Sequence, residues 1–237
     1  MRRLFLFLIG CFLTLTLLPL TASAEENHFR VGLVGEYANT HYGKGGTHRN
    51  AYGTDFGLLL GYENTISDDL WFKIDGKIVH GPRTTTTGIS PWRNTDVRTT
   101  AKIGTSFHYG VDIKPFVGVG VNYTDRDIRD SNDEFFTDYI LPVGVSFEKE
   151  TDYGLIGSDI QYEYVVYRER HTTDANQTCT TQSFGGNGNL EIGLFFEPKG
   201  TSMGFRPYYR YEHENYKERA WWPTNTNIGG LEIYYRF

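Results

Sequence analysis

Asn189-Leu190-Glu191-Ile192-Gly193-Leu194-Phe195-Phe196-Glu197 sets a large apolar residue at every second position. Side chains on a β-strand project to opposite faces with a period of two, so Leu190, Ile192, Leu194 and Phe196 share one face. Asn189, Glu191, Gly193, Phe195 and Glu197 share the other. Nine further stretches follow the same rule, and the apolar parity of all ten is free of Asp, Glu, Lys and Arg. Ten such strands in succession, with no helix between them, predict an all-β fold. The pattern fits an antiparallel up-and-down transmembrane barrel, lipid outside and water inside.

The outward parity begins with Phe29, Val31, Leu33 and Tyr37, followed by Tyr52, Phe56, Leu58, Leu60 and Tyr62. Leu70, Phe72, Ile74 and Ile78 form the third set; Val97, Ala101, Ile103, Phe107 and Tyr109 form the fourth. Then come Val117, Val119, Val121 and Tyr123, and Tyr139, Leu141, Val143, Val145 and Phe147. Ile156, Ile160, Tyr162, Tyr164 and Val166 precede the quoted stretch. Phe205, Tyr209 and Tyr211 mark the ninth, and Leu231, Ile233, Tyr235 and Phe237 the last. Each stretch reaches the roughly 9–11 residues that a tilted strand needs to cross the hydrocarbon layer. Eight strands, the alternative, leave two stretches unexplained.

Residues 1–24 carry Arg2 and Arg3, an apolar run from Leu4 to Leu20, and Ala22-Ser23-Ala24, the signature of a cleaved secretory signal peptide. The barrel is then residues 25–237. Removing the leader takes away two arginines and no acid, moving the formal charge from −6 to −8. Such an acidic chain, without a basic run, does not suit nucleic acid as a partner. Cys179 alone remains in the exported part, so no internal disulfide forms. The negative mean hydropathy does not exclude a membrane, because half of every strand is polar.

Connections alternate between short, as at Thr65–Asp69, Gly110–Lys114, Lys149–Asp152 and Pro198–Ser202, and long. The long set is Asn39–Ala51, Gly81–Asp96, Asp125–Phe136, Arg168–Asn189 and Glu214–Thr226. Outer-membrane barrels have short periplasmic turns and longer external loops, so the expected N-terminus is periplasmic. Aromatic residues near both sets read as two interfacial girdles.

The last seven residues, Leu231 to Phe237, alternate and end on an aromatic. This resembles the assembly signal of bacterial outer-membrane proteins, carried here by Tyr235 and Phe237. The resemblance implies an integral, monomeric protein of the bacterial outer membrane. Its implied partners are the barrel-assembly machinery, outer-membrane lipid and lipopolysaccharide. The chain's length suits opacity-type adhesins, OmpA-like small barrels and the ten-stranded omptin-protease and Opc-adhesin class.

The inward parity carries charges of both signs: Arg30, Glu36, Asp55, Lys73, Asp75, Arg98, Asp159, Glu163, Glu191, Arg206, Arg210 and Glu232. A buried, unpaired charge costs several kcal/mol, so these groups are expected to pair across the lumen. The alternative is a narrow channel, with inward glycines such as Gly32, Gly57, Gly118 and Gly193 leaving room for water. Acids outnumber bases inside, so such a channel would prefer cations.

Candidate chemistry at the rim is sparse. Asp125, Asp127, Asp130, Asp133 and Glu134 are acidic but interleaved with Arg126 and Arg129. Omptin proteases pair loop acids with an Asp–His dyad at the barrel mouth. The nearest counterparts here, Glu212-His213 and His171 with Asp174, do not reproduce it. The reading assigns no catalytic residue, metal or cofactor; a rim protease or lipid A-modifying enzyme stands third among functions. Trp92, Trp221 and Trp222 are candidate contacts for a ligand on a host or neighbouring surface, since exposed Trp is unusual without one. The leading expectation is a non-enzymatic surface protein with an adhesive or envelope-structural role.

Overall fold

The computed structural model describes residues 27–44, 47–67, 69–86, 91–128, 134–172, 178–181, 187–214 and 224–237. The leader and Trp221 and Trp222 lie outside these residues. Twelve strands form: β1 (Asn27–Lys44), β2 (Thr47–Ser67), β3 (Leu70–Thr85), β4 (Trp92–Thr105), β5 (Phe107–His108) and β6 (Asp112–Ile128). The second half holds β7 (Glu134–Thr151), β8 (Gly154–Thr172), β9 (Thr178–Thr181), β10 (Gly188–Pro198), β11 (Met203–Glu214) and β12 (Thr224–Arg236).

Neighbours in sequence pair antiparallel, and the ring closes where β12 pairs with β1. The two-residue β5 continues beside β6, and β9 leans on the far end of β8 while β8 itself pairs with β10. The wall therefore has ten strands, not eight. At the seam Phe237 N donates to Phe29 O at 2.9 Å, so every wall strand finds two partners and no edge remains.

Exposure follows the predicted faces. Leu33 is 63% exposed, Leu58 55% and Leu194 59%, while inward neighbours Val34 and Glu163 are 2% and 0% exposed. Among the described residues nothing covers these large apolar side chains, and hydrocarbon is the solvent that suits their side. Two positions depart from simple alternation. Ile74 keeps the outward parity but is buried. Val166 is the extra residue of a bulge, because Tyr139 faces Tyr167 and Ile140 faces Val165. Beyond that bulge the faces of β8 exchange, and Arg168 points into the lumen.

The short connections are tight, with Gly110 and Gly200 both at φ 76°, a left-handed conformation that glycine adopts without a steric penalty. The described parts of the long connections are largely strand. β1 and β2 run as a hairpin to Lys44 and Thr47, and β3 and β4 reach Thr85 and Trp92. These ribbons extend beyond the apolar band, and the predicted long loops shrink accordingly. The sequence shows no apolar parity there because water lies on both sides, yet the backbone ladder continues. The two ends of the barrel are called here the turn end and the ribbon end.

Candidate functional site

Lumen side chains come from alternate positions of all ten wall strands and form three layers. The middle layer is a charged plug. Arg98 on β4 crosses to Glu163 on β8 and lies 3.5 Å from Glu191 on β10. Glu163 also accepts from Gln161 Nε2 at 3.2 Å and Asn189 Nδ2 at 3.1 Å. Lys77 reaches Glu36 at 2.6 Å, and the Tyr208 hydroxyl donates to the same carboxylate. Arg210, 2% exposed, completes the layer 2.9 Å from Glu212 and 3.9 Å from Glu191. Ionised hydrogen bonds of this kind are roughly twice as strong as neutral ones, and those of Arg98 cross the lumen.

Toward the turn end, Arg206 contacts Glu191 at 2.6 Å, Asp159 at 2.7 Å and Glu232 at 3.4 Å. Arg30 binds Asp75 at 2.6 Å, and Lys102 shares that carboxylate at 3.7 Å. Lys73 lies 3.7 Å from Glu63. A chamber of about 90 Å³ opens here, with six basic and four acidic side chains in its lining.

Five of the inward aromatic side chains lie opposite a glycine in register. The pairs are Trp71 with Gly104, Phe116 with Gly144, Phe195 with Gly157, Tyr208 with Gly230, and Tyr234 with Gly204. A Cβ on any of these glycines would overlap the ring. A Cβ on Gly193 would likewise overlap the Asp159–Arg206 pair. These glycines seat rings and an ion pair.

Toward the ribbon end the pairing is more local. Arg83 grips both oxygens of Asp55 on the adjacent strand, and Arg168 does the same to Asp138. Arg168 also meets Glu214 at 3.1 Å. The chamber there is smaller, about 40 Å³, and six carboxylates against three guanidiniums line it. Asp96 has no cation within 4 Å among the described residues; its one contact is the Thr124 hydroxyl, 3.5 Å away.

All twelve predicted lumen charges thus sit in ion pairs. Trp92 is a correction: it is 7% exposed and lines the ribbon-end chamber, because β4 begins at Trp92 and its even positions face inward. Arg83 and Arg168, assigned to loops from sequence, are wall residues. Glu212 faces the lumen while His213 faces out and meets Asn225 Oδ1 at 2.6 Å, so the two point to opposite sides. Among the described residues, no group of three or more His, Cys, Asp or Glu is placed to hold a metal ion.

The model of the outer membrane protein beta-barrel domain family matches residues 11–191. No functionally curated protein matches the sequence. Among solved structures, the outer membrane protease OmpT from Escherichia coli aligns over 93% of this chain and 99% of its own, at 7% identity and TM-score 0.56. The translocator domain of autotransporter NalP from Neisseria meningitidis covers 100% of this chain and 97% of its own, at 11% identity and TM-score 0.45. The COG4313 outer membrane channel from Pseudomonas putida F1 covers 92% and 99%, at 8% identity and TM-score 0.47. At such identities the likeness is one of fold.

Proposed function

We propose, for a chain that belongs to the outer membrane protein beta-barrel domain family, that it is a non-conducting and non-enzymatic surface protein. In this reading the ribbons face the cell exterior and the N-terminus the periplasm. The wall serves lipid and the lumen serves bracing, so function falls to the ribbons and the segments that join them. The role is adhesive or envelope-structural, with a ligand on a host or neighbouring surface.

One observation carries the proposal: the middle layer of Arg98, Glu163, Glu191, Arg210, Glu36 and Lys77, in which charges from six wall strands pair within the lumen and Arg98 crosses it. A hydrated ion would have to separate these pairs to pass, and leaving a buried charge unpaired costs several kcal/mol. Against catalysis at the mouth stands the divergence of Glu212 and His213. Planar-bilayer recordings test the plug. Wild-type protein gives no conductance steps, and the variant Arg98→Ser/Glu163→Ser/Glu191→Ser gives them. Steps from wild-type protein at matched load overturn the reading in favour of a channel. For the surface role, cells bearing the protein adhere to matrix-coated glass, and replacing residues 173–186 and 215–223 by short Gly-Ser links abolishes the gain. Adhesion that survives this replacement moves the role to the envelope.

A further inference from the structure

The outside of the ribbon end is not uniform. On β4 and β6 it is charged, with exposed Arg93 directly opposite exposed Asp127. Among the described side chains on β11, β12, β1 and β2 it is built instead from amides, phenols and imidazoles. There Asn225 Oδ1 accepts from the Tyr211 hydroxyl at 2.9 Å and meets His213 Nδ1 at 2.6 Å. Asn227 Oδ1 accepts from the Tyr209 hydroxyl at 2.5 Å. Asn50 Oδ1 meets His41 Nδ1 at 2.8 Å.

The consequence is directional. Each amide oxygen is engaged by a neighbour on its own face, which leaves its NH₂ as a donor. Among the described residues nothing accepts from these three NH₂ groups. Just toward the membrane, Gly229 lies between Tyr37 and Tyr209 in register, and a Cβ there would meet nothing within 4 Å. The two flanking phenols are 52% and 45% exposed, so the glycine forms an open notch between aromatic walls. The notch runs into the apolar band at Leu33 and Leu231.

We infer that this face binds the uncharged sugar portion of a glycolipid headgroup in the surrounding leaflet, with the phenol rings and notch against its apolar surface and the Asn50, Asn225 and Asn227 amides donating to its oxygens. The chemistry selects this occupant. Fixed neutral donors beside aromatic faces suit hydroxyl and acyl oxygens on a ring with an apolar face, whereas phosphate recognition uses Arg or Lys. Continuity with the lipid-facing band selects a membrane-anchored sugar over a free one. The inference is independent of the closed lumen, and its assignment to the outer leaflet rests on the proposed orientation.

The test uses the full barrel in phosphatidylcholine nanodiscs doped with lipid A stripped of its phosphates, with retained lipid read by native mass spectrometry. Wild-type protein retains it. Asn225→Ala/Asn227→Ala and Gly229→Leu each weaken retention about tenfold, the equivalent of losing one or two hydrogen bonds. Arg93→Ala/Asp127→Ala, on the charged side, leaves it unchanged. Heat-modifiable gel mobility verifies that each variant is folded. Equal retention by all variants overturns the inference. So does equal retention of a chain-matched phosphatidylglycerol, or retention of the phosphorylated lipid alone. An epitope inserted after Asp174 separates the two readings. Detection on intact cells supports the outer-leaflet assignment, and detection only after permeabilisation overturns that assignment without altering the nanodisc result.

Discussion

At the turn end, Arg206 on β11 holds carboxylates from β8, β10 and β12, whereas at the ribbon end Arg83 holds a single carboxylate on the strand beside it. Rings seated on glycines reinforce the first region. In the second, Phe136 lies beneath the Arg126 and Arg168 guanidiniums, 4.6 and 5.9 Å from its centroid. The contrast separates two uses of buried charge. A shared network ties distant strands and fixes the barrel's cross-section, while a closed pair pins two neighbours and leaves the rest of the mouth independent. The net acid of the lumen is likewise uneven: it collects at the ribbon end, while bases prevail in the turn-end chamber.

Unfolding of the refolded barrel in denaturant can break this comparison. The largest effect is expected from Glu163→Ala, which strips Arg98 of its main partner deep in the plug and should cost about 3–5 kcal/mol. Next come two double replacements. Arg98→Met/Glu163→Leu orphans the Gln161 and Asn189 amides and should cost about 2–4 kcal/mol. Asp55→Leu/Arg83→Met removes a self-contained pair and should change stability by less than about 1 kcal/mol, in either direction. Equal losses from the two doubles would erase the distinction between network and pair. Gly204→Ala drives a methyl into the Tyr234 ring and should cost about 1–3 kcal/mol. The smallest effect belongs to Asp96→Asn. It removes a carboxylate that has no cation partner, so stability should hold or rise by up to about 1 kcal/mol, and a loss above that would reveal a partner for Asp96.

The lipid-facing half of each strand was legible because hydrocarbon tolerates no charge, so every second residue reports its surroundings directly. Leu33, Leu58 and Leu194 could be placed without knowing any neighbour. The inward half was legible in composition but not in pairing. Whether Arg98 meets Glu163 or Asp159 depends on registers between strands tens of residues apart. The aromatic–glycine pairs were hidden for the same reason: Phe195 and Gly157 look unrelated until β8 and β10 are aligned. Beyond the membrane the signal ended, since water on both faces allows any residue at either parity. Trp92 and Arg83 were therefore read as loop residues although β4 and β3 carry them into the mouth. The outward amide face went unnoticed too. Asn50 and Asn225 declare nothing singly, and only pairing across the β12–β1 seam brings them together.

The bulge at Val166 sets the sidedness of everything beyond it in β8. Strand positions behave like a reading frame for sidedness, and one surplus amino acid shifts that frame for everything downstream in β8. Excise Val166 and the ladder closes without a bulge: Tyr167 follows Val165, still faces Tyr139, and Arg168 still reaches Asp138. Keep Val166 but pair it with Tyr139, and the rest of the ribbon turns inside out: Arg168 swings toward the headgroups, Tyr167 enters the mouth, and Asp138 loses its guanidinium.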